Sequence, residues 1–93
     1  MKVSVKFYSY LAQLVDKESK MDIELQDGAT VLQLLNVLLT DPKIHEHILN
    51  EHEEIKPDIT IMRNGREIKF LNGLKTVLST GDEIQIFPVV AGG

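Results

Sequence analysis

The chain ends Phe87-Pro88-Val89-Val90-Ala91-Gly92-Gly93. A terminal carboxyl titrates near about pH 3.5 and is ionised at neutral pH. The two glycines before it lack Cβ, so this end can enter a narrow tunnel and bring its carboxylate to reagents held by another protein. Val89, Val90 and Ala91 favour an extended path, and no charged side chain obstructs either side. Such a carboxylate can attack the α-phosphate of ATP when a partner positions both. The acyl-adenylate so formed is then open to a sulfur nucleophile or an amine. The chain has no cysteine, so it holds no disulfide, no thiolate metal site and no thiol nucleophile. Any sulfur chemistry at this end needs a partner's cysteine.

Other chemistry is poorly supported. "HEHILNEHEE" gathers His45, His47 and His52 with four glutamates. His45 and His47 are two apart and diverge on a helix, and the HExxH spacing is absent. A solvated polar segment is expected there, and no metal. Serine, histidine and aspartate all occur, but in no nucleophile-elbow arrangement. "NGR" and "TGD" are turn chemistry; neither GxxxxGK[ST] nor GxGxxG is present. The chain is therefore expected to bind no ATP or other cofactor itself, and not to be a free-standing enzyme.

Composition bounds the partners. The 93 residues, 43% of them hydrophobic and 26% charged, suit one small globular domain. No apolar run approaches the ~20 residues of a membrane span. The opening "MKVSVKFYSY" alternates and lacks the continuous apolar stretch of a signal peptide, which points to the cytoplasm. Net charge is −4, with Lys and Arg scattered among acids, which argues against nucleic acid as a partner.

The elements that must hold the tail follow from periodicity. Lys2 to Tyr8 alternates, with Val3, Val5 and Phe7 on one face and Ser4, Lys6 and Tyr8 on the other, so a strand is expected. "SYLAQLVDKESK" reads as a turn with a short helical piece whose apolar spots are Leu11, Leu14 and Val15. "MDIELQ" alternates again, with Met21, Ile23 and Leu25 inward, antiparallel to the first strand. Thr30 and Gln33 stand at capping-box spacing. Val31, Leu34, Leu35 and Leu38 then form one helical stripe. Asp41-Pro42 predicts a cap and first-turn proline for a second short helix over 43–49. A polar loop over 50–58 leads to a strand at 59–63, the Asn64-Gly65 hairpin signal and a return strand "REIKF". A turn-rich link with an apolar cluster of Leu74, Val77 and Leu78 precedes a last strand, Glu83 to Phe87, with Ile84 and Ile86 inward.

A sheet crossed by one main helix is α+β. If the first and last strands are central neighbours they are expected to run parallel, which the long crossover between them permits. That is the β-grasp, or ubiquitin-like, arrangement: a single domain over 1–87 and a flexible tail over 88–93. Strand parity puts Tyr8, Met62 and Phe87 on the face opposite the core, near the exit of the tail. Three large apolar side chains clustered there suggest a contact surface for a partner.

The opening "KVSVKFYSYLAQL", the "DGATVLQLL" helix entry, the "IMRNGREI" hairpin and above all "GLKTVLSTGDEIQIFPVVAGG" resemble the MoaD/ThiS family of ubiquitin-like sulfur carriers over nearly the whole chain. The resemblance implies a β-grasp fold and a carrier, not an enzyme. It implies an E1-like partner of the MoeB/ThiF type that uses ATP and Mg²⁺ to adenylate the C-terminal glycine, here Gly93. A sulfur donor protein then supplies a persulfide, and the product is a thiocarboxylate. Gly92 would be the slim neighbour of Gly93, with Pro88, Val89, Val90 and Ala91 as the tail. Phe87 matches an exposed aromatic that contacts partners, and Tyr8 falls where the family often has another. Within the family, length, "FP" and "NGR" are closest to the small subunit of molybdopterin synthase, which implies a large-subunit partner and a role in molybdenum cofactor biosynthesis. Val89 stands where that subfamily often has a second proline. The ending also fits carriers for thiazole or cysteine synthesis. A modifier joined to lysines, as in some archaeal relatives, is a further alternative.

Overall fold

The computed structural model describes residues 1–13 and 20–89, with Lys43 described in its backbone only. Five strands form one mixed sheet: β1 (Lys2–Phe7), β2 (Lys20–Glu24), β3 (Ile59–Arg63), β4 (Arg66–Glu67) and β5 (Glu83–Pro88), in the order β2-β1-β5-β3-β4. β1 and β5 are parallel in the middle, with Ser4 level with Glu83 and Phe7 with Ile86. β2 lies antiparallel to β1, and β3 antiparallel to β5. This is the β-grasp expected from the periodicity. Among the described residues no helix is long and apolar enough to cross a membrane.

Alternation in β1 buries Val3, Val5 and Phe7, and alternation in β5 buries Ile84 and Ile86. Ile59 and Ile61 of β3 join them. The main helix, α1 (Val31–Leu38), buries Val31, Leu34 and Leu35 in the same cluster, and Leu38 packs against it partly buried. Each such side chain contributes about 1.5–3 kcal/mol of transfer free energy. The helix starts where the capping box expects. The Gln33 N–H donates to Thr30 Oγ1 at 3.3 Å, and the Thr30 N–H donates to Gln33 Oε1 at 2.8 Å. Helix α2 (Pro42–Ile48) begins on its proline, and the Asp41 carbonyl accepts from the Ile44 and His45 N–H groups. It adds Ile44 and Ile48 to the core.

Met21, Ile23 and Leu25 pack partly buried against that core. Leu11 is buried in a 3₁₀ turn over Ser9–Gln13, whereas Leu14 and Val15 lie outside the described residues.

Three details differ from the sequence expectation. The return strand stops at Glu67, and Ile68–Phe70 is a 3₁₀ turn that drives Ile68 into the core. In a strand, Phe70 would share the face of Ile68; here it is 78% exposed. Leaving the sheet edge forfeits few ladder bonds, and a Leu71 N–H to Ile68 carbonyl bond of 2.9 Å offsets part of the loss. Val77 is also exposed, not part of an apolar cluster. The segment there is extended and tied to the start of α1, by Val31 N–H to Thr76 O and Leu78 N–H to Ala29 O. Alternation buries Thr76 and Leu78 and turns Val77 outward. Finally, β5 runs on to Pro88, level with Ile59, and the Val89 N–H donates to the Asp58 carbonyl at 2.7 Å. Proline is tolerated at a strand end because its missing N–H removes only a terminal ladder bond.

Candidate partner surface at the exit of the last strand

Because β1 and β5 are parallel neighbours, their ends emerge side by side. Tyr8 and Phe87 meet edge to face there, ring centroids 5.9 Å apart at 84°. Met62, one strand over on β3, lies on the same outer face. These side chains and Pro88 bound an open hollow of about 550 Å³, completed by Ser9, Gly65 and Gln85. Ser9 takes a left-handed conformation (φ 59°) that turns the chain out of β1 and puts this residue on the wall of the hollow. The three side chains singled out by strand parity are thus brought together, partly exposed, where β5 leads into the tail. Val89 is half exposed beside them. Val90, Ala91, Gly92 and Gly93 lie outside the described residues.

A polar cluster that the sequence did not reveal fixes the other end of β5. Asp82, 6% exposed, accepts from Arg63 Nε at 2.7 Å, Asn64 Nδ2 at 3.0 Å and the Ser79 N–H at 2.8 Å. Asn64 in turn accepts from the Glu83 N–H at 2.8 Å through its own side-chain oxygen. Burial pushes the Asp82 carboxyl up, but the Ser79 N–H, the Arg63 guanidinium and the Asn64 amide outweigh it and hold the group below the usual carboxylate value. The cluster ties the β3–β4 turn to the first residue of β5 and so fixes the register of the strand that carries the tail. Only the Ser79 bond is local; Arg63 and Asn64 lie 19 and 18 residues from Asp82 in sequence. "TGD" and "NGR" each read as turns, and only the fold joins the two segments.

The histidines go separate ways. His45 Nε2 is 3.3 Å from Glu53, His52 Nε2 is 3.5 Å from Glu51, and His47 sits against the Tyr10 ring with centroids 6.3 Å apart. Among the described residues no three His, Cys, Asp or Glu side chains converge as a metal would need.

The sequence profile of the ThiS family matches residues 5–93. Small archaeal modifier protein 3 from Haloferax volcanii is 33% identical over 93 residues, spanning all of both chains. A putative sulfur carrier protein from Archaeoglobus fulgidus is 40% identical over 75 residues, 77% of this chain and 84% of that one. The molybdopterin synthase sulfur carrier subunit of Mycobacterium tuberculosis is 27% identical over 94 residues, covering 100% of this chain and 99% of its own. Among solved structures, SAMP1 from Haloferax volcanii superposes with a TM-score of 0.84 at 26% identity, each chain covered in full.

Proposed function

Because the chain belongs to the ThiS family of ubiquitin-like sulfur carriers, we propose that it works as a co-substrate whose reactive group is the carboxylate of Gly93. The observation that carries this is the apolar hollow of Tyr8, Met62 and Phe87 at the point where β5 hands over to the tail. An E1-like enzyme seated on that hollow receives the tail in its own active site. A carboxylate oxygen attacks the α-phosphorus of Mg-bound ATP, and pyrophosphate leaves. The terminal sulfur of a persulfide on the donor side attacks the acyl-adenylate carbonyl, and AMP leaves. A partner thiolate then cleaves the S–S bond, giving the thiocarboxylate on Gly93 and a disulfide on the partners. Every sulfur comes from outside, as the absence of cysteine requires. The chain contributes a docking face, a rigid strand and a slim end.

For the acceptor we favour molybdopterin synthesis on a large-subunit partner. The full-length match to a molybdopterin synthase sulfur carrier subunit supports it. Val89 in place of a second proline keeps carriers for thiazole or cysteine synthesis as alternatives. A second reading, a modifier whose Gly93 forms isopeptide bonds with lysines, is favoured by the full-length match to small archaeal modifier protein 3. Mass spectrometry of the chain after incubation with its E1-like enzyme, ATP and a sulfur donor decides the first point. The expected change is replacement of one terminal oxygen by sulfur; an unaltered mass with an active enzyme defeats the carrier reading. Branched peptides bearing a Gly92-Gly93 remnant in cells would establish the modifier reading, and their absence would count against it.

A further inference from the structure

One row across the outer face of the sheet reads Lys20, Lys6, Gln85, Met62 and Glu67, each level with the next. Lys6 and Lys20 are direct cross-strand partners in an antiparallel pair. Like charges so opposed destabilise a sheet. The ion pairs of the described residues involve neither lysine. Of the described acids on this face, Asp22 and Glu83 flank Ser4 in the adjacent row, Glu24 stands level with Lys2, and Glu67, beyond Met62, pairs with Lys69 at 3.4 Å. Both lysines line a polar groove of about 180 Å³ that also includes Tyr8 and Glu83, and Glu83 takes part in none of the described ion pairs. The Lys6 ammonium sits 5.0 Å from the Tyr8 ring centroid, which joins the cationic pair to the apolar hollow. So a chain of net charge −4 presents two adjacent ammonium groups beside the exit of its functional strand. The pair costs folding energy on a face that the core does not use. A ligand of opposite charge accounts for it.

We propose that Lys6 and Lys20 are the electrostatic half of the partner-binding face. Their occupant is a segment of the adenylating enzyme carrying carboxylates beside an apolar side chain that fills the Tyr8–Met62–Phe87 hollow. The identity of the occupant rests on the sulfur-carrier reading; the acidic-plus-apolar chemistry rests on the sheet face itself. Surface charges of this kind act mainly on the association rate and are screened by salt.

The test uses the full chain and the MoeB/ThiF-type enzyme of the same genome, with binding followed by interferometry without ATP. The Lys6→Glu/Lys20→Glu variant is expected to associate about tenfold more slowly at about 50 mM NaCl, and within about twofold of wild type at about 500 mM. Lys6→Gln/Lys20→Gln, which places no new charges on the sheet, is expected to lose about threefold at low salt. Lys20→Gln alone should slow association yet raise Tm by roughly 1–3 °C, because it relieves the opposed pair. That combination of better folding and poorer binding is not produced by a merely structural lysine. Wild-type association rates in all the folded variants would overturn the proposal, as would wild-type binding that is indifferent to salt or absent. Adenylation is scored separately. Salt-sensitive binding without Gly93-dependent pyrophosphate release defeats the carrier reading alone. Adenylation with charge-indifferent binding defeats this proposal alone.

Discussion

The two faces of the sheet use similar side chains for different ends. On the inner face Val3, Val5, Phe7, Ile59, Ile61, Ile84 and Ile86 are all nearly or fully buried. On the outer face Met62 and Phe87 come from the same strands and Tyr8 directly follows β1, each one residue out of phase, and they remain partly exposed around an open hollow. The inner set closes a core that the fold needs. The outer set is apolar without closing anything, and it sits at the exit of the tail. Strand parity assigns each side chain to its face. With recognition on the outer face, as proposed, stability and partner recognition are separable, and substitutions should sort cleanly between the two.

The sharpest separation lies at the tail. Every buried side chain of the described residues falls between Val3 and Ile86. Deleting Gly92 and Gly93 is therefore expected to leave Tm within about 2 °C of wild type, the range of changes that touch no buried group. Adenylation by the E1-like enzyme should disappear entirely. Calorimetry and pyrophosphate release measure the two sides. A large melting loss on truncation would show that the end belongs to the core.

Next come paired truncations across the faces. Leu35→Ala, at a fully buried position of α1, is expected to cost about 2–5 kcal/mol and to lower Tm by more than about 10 °C. Phe87→Ala should lower Tm much less while weakening affinity for the enzyme by about 2 kcal/mol, roughly 30-fold, as for an aromatic anchor at an interface. Intact affinity with a large melting loss for Phe87→Ala would move that ring to the inner set and collapse the comparison.

Much of this was legible in the sequence because the signals are local. Period-two alternation marked β1 and β5, Thr30 and Gln33 marked the start of α1, and Asn64-Gly65 marked the β3–β4 turn, where Asn64 and Gly65 both take positive φ. The parallel pairing of β1 with β5 rests on taking the two as central neighbours, an arrangement that the long chain between them permits, and the meeting of Tyr8 and Phe87 comes with it. What escaped depends on distant partners. "REIKF" alternates as a strand does, but Ile68 found a better-buried place by leaving the sheet edge, and that exposed Phe70. The local pattern groups Val77 with Leu74 and Leu78, because nothing in it announces the backbone bonds that hold its neighbours against α1. Asp82 escapes for the same reason, since its donors come from the end of β3, the β3–β4 turn and the turn before β5.

That cluster gives a prediction in which pH separates the faces. Asp82 has a folded-state value held below its ordinary 3.8. Its contribution is therefore fully present above about pH 3.8, where the unfolded chain also ionises it, and is lost as pH falls through the folded value. Asp82→Asn is expected to cost about 1–3 kcal/mol at neutral pH, because it weakens the bonds to Arg63 and Ser79. It should also flatten the acid limb of the stability curve. Urea midpoints of both proteins between about pH 6 and pH 3 measure this. Parallel acid limbs would mean that other carboxylates govern the acid loss.

The smallest effect expected lies at the start of α1, which packs with the inner face. Thr30→Ala removes the hydroxyl that accepts from the Gln33 N–H and leaves the reciprocal bond, Thr30 N–H to Gln33 Oε1, in place. Backbone bonds from Val31 to Thr76 and from Leu78 to Ala29 still pin the start of α1. The cost should then sit toward the low end of the capping range, about 0.5–1 kcal/mol, visible as a few degrees in Tm. Affinity for the enzyme should not change, because α1 packs with the inner face while recognition is assigned to the outer. A measurable loss of affinity in Thr30→Ala would show that strain on the inner side reaches the hollow, and the two faces would then have to be treated as one coupled unit.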